Sequence, residues 1–153
     1  MTPATISLQR VERMPVAVIR REVTRSELSR VVPECCGRVW EHLRAQQIKG
    51  GRNVAIYRNR GAHLEAGVEV AVPFVEGNDV VASTTPAGTA ATMAHIGPYA
   101  GLSRAHDAIQ AWCRENNHKM IEPCWELYGH WRPEWDTDPS QIRTDVYYLL
   151  IEG

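Results

Sequence analysis

Residues 88–112 read GTAATMAHIGPYAGLSRAHDAIQAW, and the change of period inside this stretch decides the fold. GTAATMAHIG (88–97) has the composition of a strand. After Pro98 the spacing changes. Leu102, Ala105, Ile109 and Trp112 recur as one face of a helix, and Pro98 suits a helix start. Two further strands follow. WELYGHW (125–131) is rich in aromatic residues, and IRTDVYYLLI (142–151) is rich in β-branched and aromatic ones. The loop RPEWDTDPSQ separates them.

The first part of the chain has the same order. VERMPVAVIRREV (11–23) reads as a strand. A helix comes next, with Thr24 and Glu27 spaced as a capping box and Leu28, Val32, Cys35, Val39 and Leu43 on one face. Pro33 is expected to kink or restart it, and Gly50-Gly51 to end it. NVAIYR (53–58) and GAHLEAGVEVAVPF (61–74) read as strands, and the turn EGND leads into the short strand VVAST. Leu28-Ser29-Arg30 recurs as Leu102-Ser103-Arg104, an offset of 102 − 28 = 74 residues. These observations predict one α+β domain over residues 1–153, built from a duplicated strand–helix–strand–strand unit with halves near 5–80 and 86–152. The expected architecture is a curved antiparallel sheet with both helices on one face. A ligand cleft is expected at the opposite face and at the seam between the halves.

Composition narrows the function classes. The 153 residues are 44% hydrophobic and 23% charged, which fits a globular domain with a real core. Lys+Arg number 17 and Asp+Glu 18, so no broad basic face for nucleic acid is expected. No apolar run reaches the ~18 residues of a membrane span, and MTPATISLQRVERM at the N-terminus lacks a signal-peptide core. Cys35, Cys36, Cys113 and Cys124 contain no CxxC pair and read as buried thiols of a cytoplasmic protein. The six histidines show no metal-binding spacing, so no metal and no cofactor are expected.

The chemistry centres on PCWELYGHW (123–131). On a strand, Trp125, Leu127, Gly129 and Trp131 share one face, expected to lie under the helices. Cys124, Glu126, Tyr128 and His130 share the other, expected to line the cleft. A carboxylate among aromatic rings has three readings. It can face water or pair with an arginine. It can be the counter-charge for a flat lipophilic cation, with the rings adding cation–π attraction of about 1–2 kcal/mol. It can be a general acid or base with a raised pKa, with Tyr128 as its partner in a hydrolase. Further candidate pocket residues are Tyr57, Tyr147 in preference to Tyr148, Met93, His95 and Trp131. No GxGxxG, P-loop or GxSxG motif is present.

The segment HIGPYAGLSRAHDAIQAW (95–112), the Glu126-Leu127-Tyr128 strand and the duplicated order together resemble the GyrI-like small-molecule-binding family. This family also forms the effector-binding domain of bacterial multidrug-responsive regulators. The resemblance covers about residues 5–152. It implies binding of hydrophobic, often cationic compounds between the halves, with Glu126 at the position of the buried ligand-facing glutamate. It also implies two alternatives: hydrolysis of cyclopropane-type genotoxins by the same glutamate, and inhibition of a protein partner such as gyrase. Regulators of this type carry a helix-turn-helix ahead of the domain. Here the first strand begins within the first dozen residues, so a free-standing module without direct DNA contact is expected, with a protein partner or homodimer left open.

Overall fold

The computed structural model describes residues 5–151. The strands are β1 (Ser7–Val11), β2 (Pro15–Glu22), β3 (Asn53–Arg58), β4 (His63–Glu69), β5 (Val80–Thr84), β6 (Gly88–Ile96), β7 (Met120–Tyr128) and β8 (Arg143–Leu150). The helices are α1 (Leu28–Ala45), α2 (Leu102–Glu115) and the single turn α3 (Glu134–Thr137). The eight strands form one sheet in the order β1-β6-β8-β7-β3-β4-β2-β5. All its pairings are antiparallel.

The order contains the duplication. In the first unit β2-α1-β3-β4 gives the sheet order β3-β4-β2, and in the second β6-α2-β7-β8 gives β7-β8-β6. The units meet where β3 pairs with β7, with Ala55 opposite Glu126. Leu28 and Leu102 each begin a helix directly after a 3-10 turn, which explains the 74-residue echo. β1 and β5 extend the outer edges. The sequence gives little sign of β1, because its side chains are mostly exposed and its partner β6 lies some 80 residues away.

Both helices pack on one face. α1 buries Val31, Val32, Cys35, Cys36, Val39 and Leu43 against Ala17, Ile19, Leu64, Ala66 and Val68. α2 buries Ala105, Ile109 and Cys113 against Ala91, Val146 and Leu150. Pro33 lies inside α1 without breaking it. The helix stops before Gly50-Gly51, at Ala45, and Gln47 supplies the left-handed residue that turns the chain (φ 60°). Gly50 instead lets Trp40 and Val68 close in.

The face without helices is apolar at its centre, with Glu65 buried there against Arg20 at 2.7 Å. Val16, Val18, Val54, Ile56, Trp125, Leu127 and Leu149 form a second buried cluster there. A sheet face is dry without a covering layer only if the sheet rolls over itself. Val11, Met14 and Val81, from the two edges, pack onto this cluster. The expectation that Trp125 and Leu127 lie beneath the helices is therefore reversed. Residues Cys124, Glu126 and Tyr128 face the helices, and the open space lies on that side.

Gly67 makes the roll possible. A Cβ there would stand 1.8 Å from the Ala17 carbonyl oxygen and 2.8 Å from Val18 Cα, both backbone atoms of the neighbouring strand. Gly67→Ala is expected to lower the unfolding free energy by about 2 kcal/mol or more, read as an earlier urea midpoint at unchanged slope.

Candidate functional site

A cleft of about 1410 Å³ opens between α1 and α2, with the sheet as its floor. Leu28, Val32 and Trp40 supply one wall, and Leu102, His106 and Gln110 supply the other. Tyr57, Cys124, Glu126, Tyr128 and Tyr148 form the floor. The site straddles the seam, since Tyr57 comes from β3 and Glu126 from β7, its pairing partner.

Glu126 is 4% exposed, and its three hydrogen-bond partners among the described residues all donate to it. The hydroxyls of Tyr57 (2.8 Å) and Tyr128 (2.5 Å) donate to its Oε1. His106 Nε2 donates to its Oε2 at 2.7 Å. Behind the imidazole, Nδ1 lies 2.7 Å from the Tyr148 hydroxyl, which also accepts from Gln110 Nε2 at 2.8 Å. Edge-to-face contacts fix the rings: His106 on Tyr148 at 5.5 Å, His106 on Tyr57 at 6.4 Å, and Tyr99 on Tyr128 at 5.7 Å.

The electrostatics follow from these contacts. Burial pushes the Glu126 carboxyl upward, but His106 and the two phenols outweigh it and hold the group below the ordinary carboxylate range. Burial also opposes the His106 imidazolium, yet the Cys124 sulfur and the Glu126 carboxylate beside it raise its pKa to about 9. Burial, then the charge of Glu126, drives Tyr57 and Tyr128 well above the usual phenol value, so both remain donors. At neutral pH the floor of the cleft is a desolvated ion pair, His106⁺–Glu126⁻. The raised carboxyl pKa that a general acid needs is not found.

Of the residues singled out from sequence, Glu126, Tyr128 and Tyr57 converge on one carboxylate. Trp131 lines the mouth of the cleft, half exposed, with its indole N–H on Asp136 and its ring edge-on to Trp135. β7 ends at Tyr128, so strand alternation does not extend to His130 and Trp131. Tyr147 does not reach the cleft. It stacks on Trp125 at 5.0 Å on the helix-free face, and Tyr148 takes the position expected for it. Met93 is buried beneath α2, and His95 bonds the Pro98 carbonyl at 3.0 Å; neither lines the cleft. His106 and Gln110 are absent from the sequence-based candidates, where Tyr148 ranks behind Tyr147. The available signal was on α2, where His106 and Gln110 follow Leu102 at helical spacing and place polar groups beside an apolar stripe.

Among the described residues no group of three His, Cys, Asp or Glu is placed to hold a metal ion. All four cysteines are free. No helix among these residues is long and apolar enough to cross a membrane.

The ion pair also sets a stability window. The folded-state pKa of His106 lies above its unfolded value, so its contribution is full below about 6.5 and disappears as pH rises through about 9. Glu126 has the opposite sign, and its contribution is lost only as pH falls through its depressed value. His106→Ala is expected to cost about 3 kcal/mol at neutral pH. Urea unfolding of both proteins at neutral pH and again well above pH 9 should show the difference shrinking at the higher pH.

Comparison with known proteins accords with this geometry. The model of the family described as GyrI-like small molecule binding domain matches residues 4–150. A search of curated proteins finds no match. Among solved structures, the EcmrR C-terminal domain superposes with a TM-score of 0.81 at 18% identity, covering 99% of this chain and 100% of that one. SAV2435 bound to tetraphenylphosphonium gives 0.67 at 11% identity, covering 96% and 94%. A hydrolase from Listeria innocua gives 0.58 at 10% identity, covering 95% and 91%. At these identities the structural likenesses speak to the fold alone. The family match spans nearly the whole chain, and with it the chain belongs to the GyrI-like small molecule binding domain family.

Proposed function

We propose that the cleft captures lipophilic aromatic cations, with Glu126 as the counter-charge. The observation that carries this reading is a single buried carboxylate on the floor of a 1410 Å³ cleft whose lining includes Trp40, Tyr57, Tyr99, Tyr128, Trp131 and Tyr148. Aromatic faces attract a desolvated cation, and the carboxylate supplies the charge that apolar walls cannot. The solved complex of SAV2435 with tetraphenylphosphonium supports the same reading by analogy of fold.

The hydrogen bonds narrow the ligand class further. Three of the roughly four lone-pair positions of Glu126 are already taken. A primary amine would have to break one of these bonds to make its own. A phosphonium or quaternary ammonium ion has no donor to satisfy and needs only proximity to the charge and the rings. The cleft therefore suits a delocalised cation without N–H groups.

The hydrolase alternative uses the same carboxylate. A general acid at neutral pH must carry a proton, whereas Glu126 is held ionised by His106 and two phenols. As a base it is encumbered, because three donors already occupy its oxygens, and this favours binding over turnover. The third alternative, inhibition of a protein partner, makes no use of the cleft.

Titration with tetraphenylphosphonium, followed by tryptophan fluorescence, tests the reading. Glu126→Gln should weaken the cation about 10- to 100-fold, the equivalent of 1–3 kcal/mol. A neutral analogue of similar size, tetraphenylmethane, should lose less than about threefold. Equal loss for both compounds, or no loss for either, would remove Glu126 as the counter-charge.

A further inference from the structure

We propose that His106 is the specificity-determining residue of the cleft: its imidazolium serves as a built-in cation on Glu126, and a ligand cation binds by taking over that charge, releasing one proton. This rests on the cation-binding reading above.

The geometry provides for both states. With His106 charged, Nε2–H donates to Glu126 and Nδ1–H donates to the Tyr148 oxygen, which also accepts from Gln110. If the Nδ1 proton leaves to solvent, the Tyr148 hydroxyl can turn and donate to the bare Nδ1 across the same 2.7 Å. Gln110 still donates to the Tyr148 oxygen, and Nε2–H still faces Glu126. In the neutral state Nε2–H, the Nδ1 lone pair and the Tyr148 O–H each keep a partner. Gln110 and Tyr148 thus hold one ring position for two protonation states.

The change is required because two cations cannot share one buried carboxylate without mutual repulsion. The ligand sits among aromatic rings and cannot lose its charge. The imidazolium can, so it is the group that yields. The groups facing His106 are Glu126, Cys124 and Tyr128 from β7, Tyr148 from β8 and Tyr57 from β3. Around the rest of the cleft stand Arg25, Arg52, Arg60, Glu122 and His130. Arg52 is paired with Glu69 at 2.6 Å, and Glu122 accepts from the backbone N–H groups of Asn59 and Arg60. His130, exposed at the rim, is the other histidine of the lining and serves as the control.

The consequence is a cleft that discriminates by pH. Below the His106 titration the internal cation competes with the ligand; above it the site is vacant and negative. Neutral aromatic ligands leave the ion pair intact and should bind with little pH dependence.

The test is the dissociation constant for tetraphenylphosphonium against pH, together with calorimetry in two buffers of different ionisation enthalpy. Affinity should rise about tenfold per pH unit from about 6.5 to 8.5 and level off above the His106 pKa. Close to one proton per cation should be released near neutral pH. His106→Gln should bind the cation at least about tenfold more tightly than wild type at about pH 6.5, with a flat profile, while His130→Gln should keep the slope. A flat profile without proton release in wild type, with Glu126→Gln still impaired, overturns the role of His106 and leaves the counter-charge standing. Loss of the slope in His130→Gln also overturns it. Failure of wild type to bind the cation at every pH removes both. The calorimetric count needs no variant, so a misfolded His106→Gln would not block the decision.

Discussion

A carboxylate that is 4% exposed must bring its own solvation with it, and the arrangement of this domain follows from how Glu126 does so. Its donors come from three elements: Tyr57 on β3, Tyr128 on its own strand and His106 on α2. They meet only if β3 and β7 are paired and α2 crosses the same face. The seam between the two units is therefore fixed by polar contacts as well as by the ladder. The cleft stays open above this point because the helices pack against the sheet on either side of it.

The two faces of the sheet divide the work. The helix-free face is a dry core of Val16, Val18, Val54, Ile56, Trp125 and Leu127, and its one buried carboxylate among the described residues, Glu65, is held by Arg20 at 2.7 Å. That leaves the helix-bearing face free to hold the ion pair and the cavity. Strand alternation enforces the division on β7, where Trp125 and Leu127 point one way and Cys124, Glu126 and Tyr128 point the other. Trp125 and Leu127 in the dry cluster and Glu126 on the cleft floor thus sit on opposite sides of the same strand.

Much of this was legible in the sequence. Strand–helix–strand–strand twice, the seam, and Glu126, Tyr128 and Tyr57 as residues of one cleft were read from period and from the company of aromatic residues. What was not legible has physical causes. Alternation says which residues share a face, but not which face the helices cover. Trp125 looks like core under a helix and is core under a rolled sheet. The choice between Tyr147 and Tyr148 depends on that same face and inverted with it. His106 lies 20 residues from Glu126, on a helix whose rotation is set by packing, so no spacing rule links the two. Local apolar pattern hides such a residue, because a histidine beside a buried stripe also reads as solvated surface. The same gap explains the pKa of Glu126: a raised value follows from burial alone, and the depressed value follows from partners that only the fold brings near.

The seam register places Ala55 directly opposite Glu126. The two units are related across this seam, so the residue facing Glu126 belongs to the matching strand of the first unit. A duplication that kept an acid in both copies would set two carboxylates side by side on the buried floor of the cleft, where like charges on paired strands repel. Here one copy carries the charge and the other presents a small apolar residue, Ala55. The domain is therefore symmetric in its scaffold and asymmetric in its chemistry, with the carboxylate on the second unit's side of the seam.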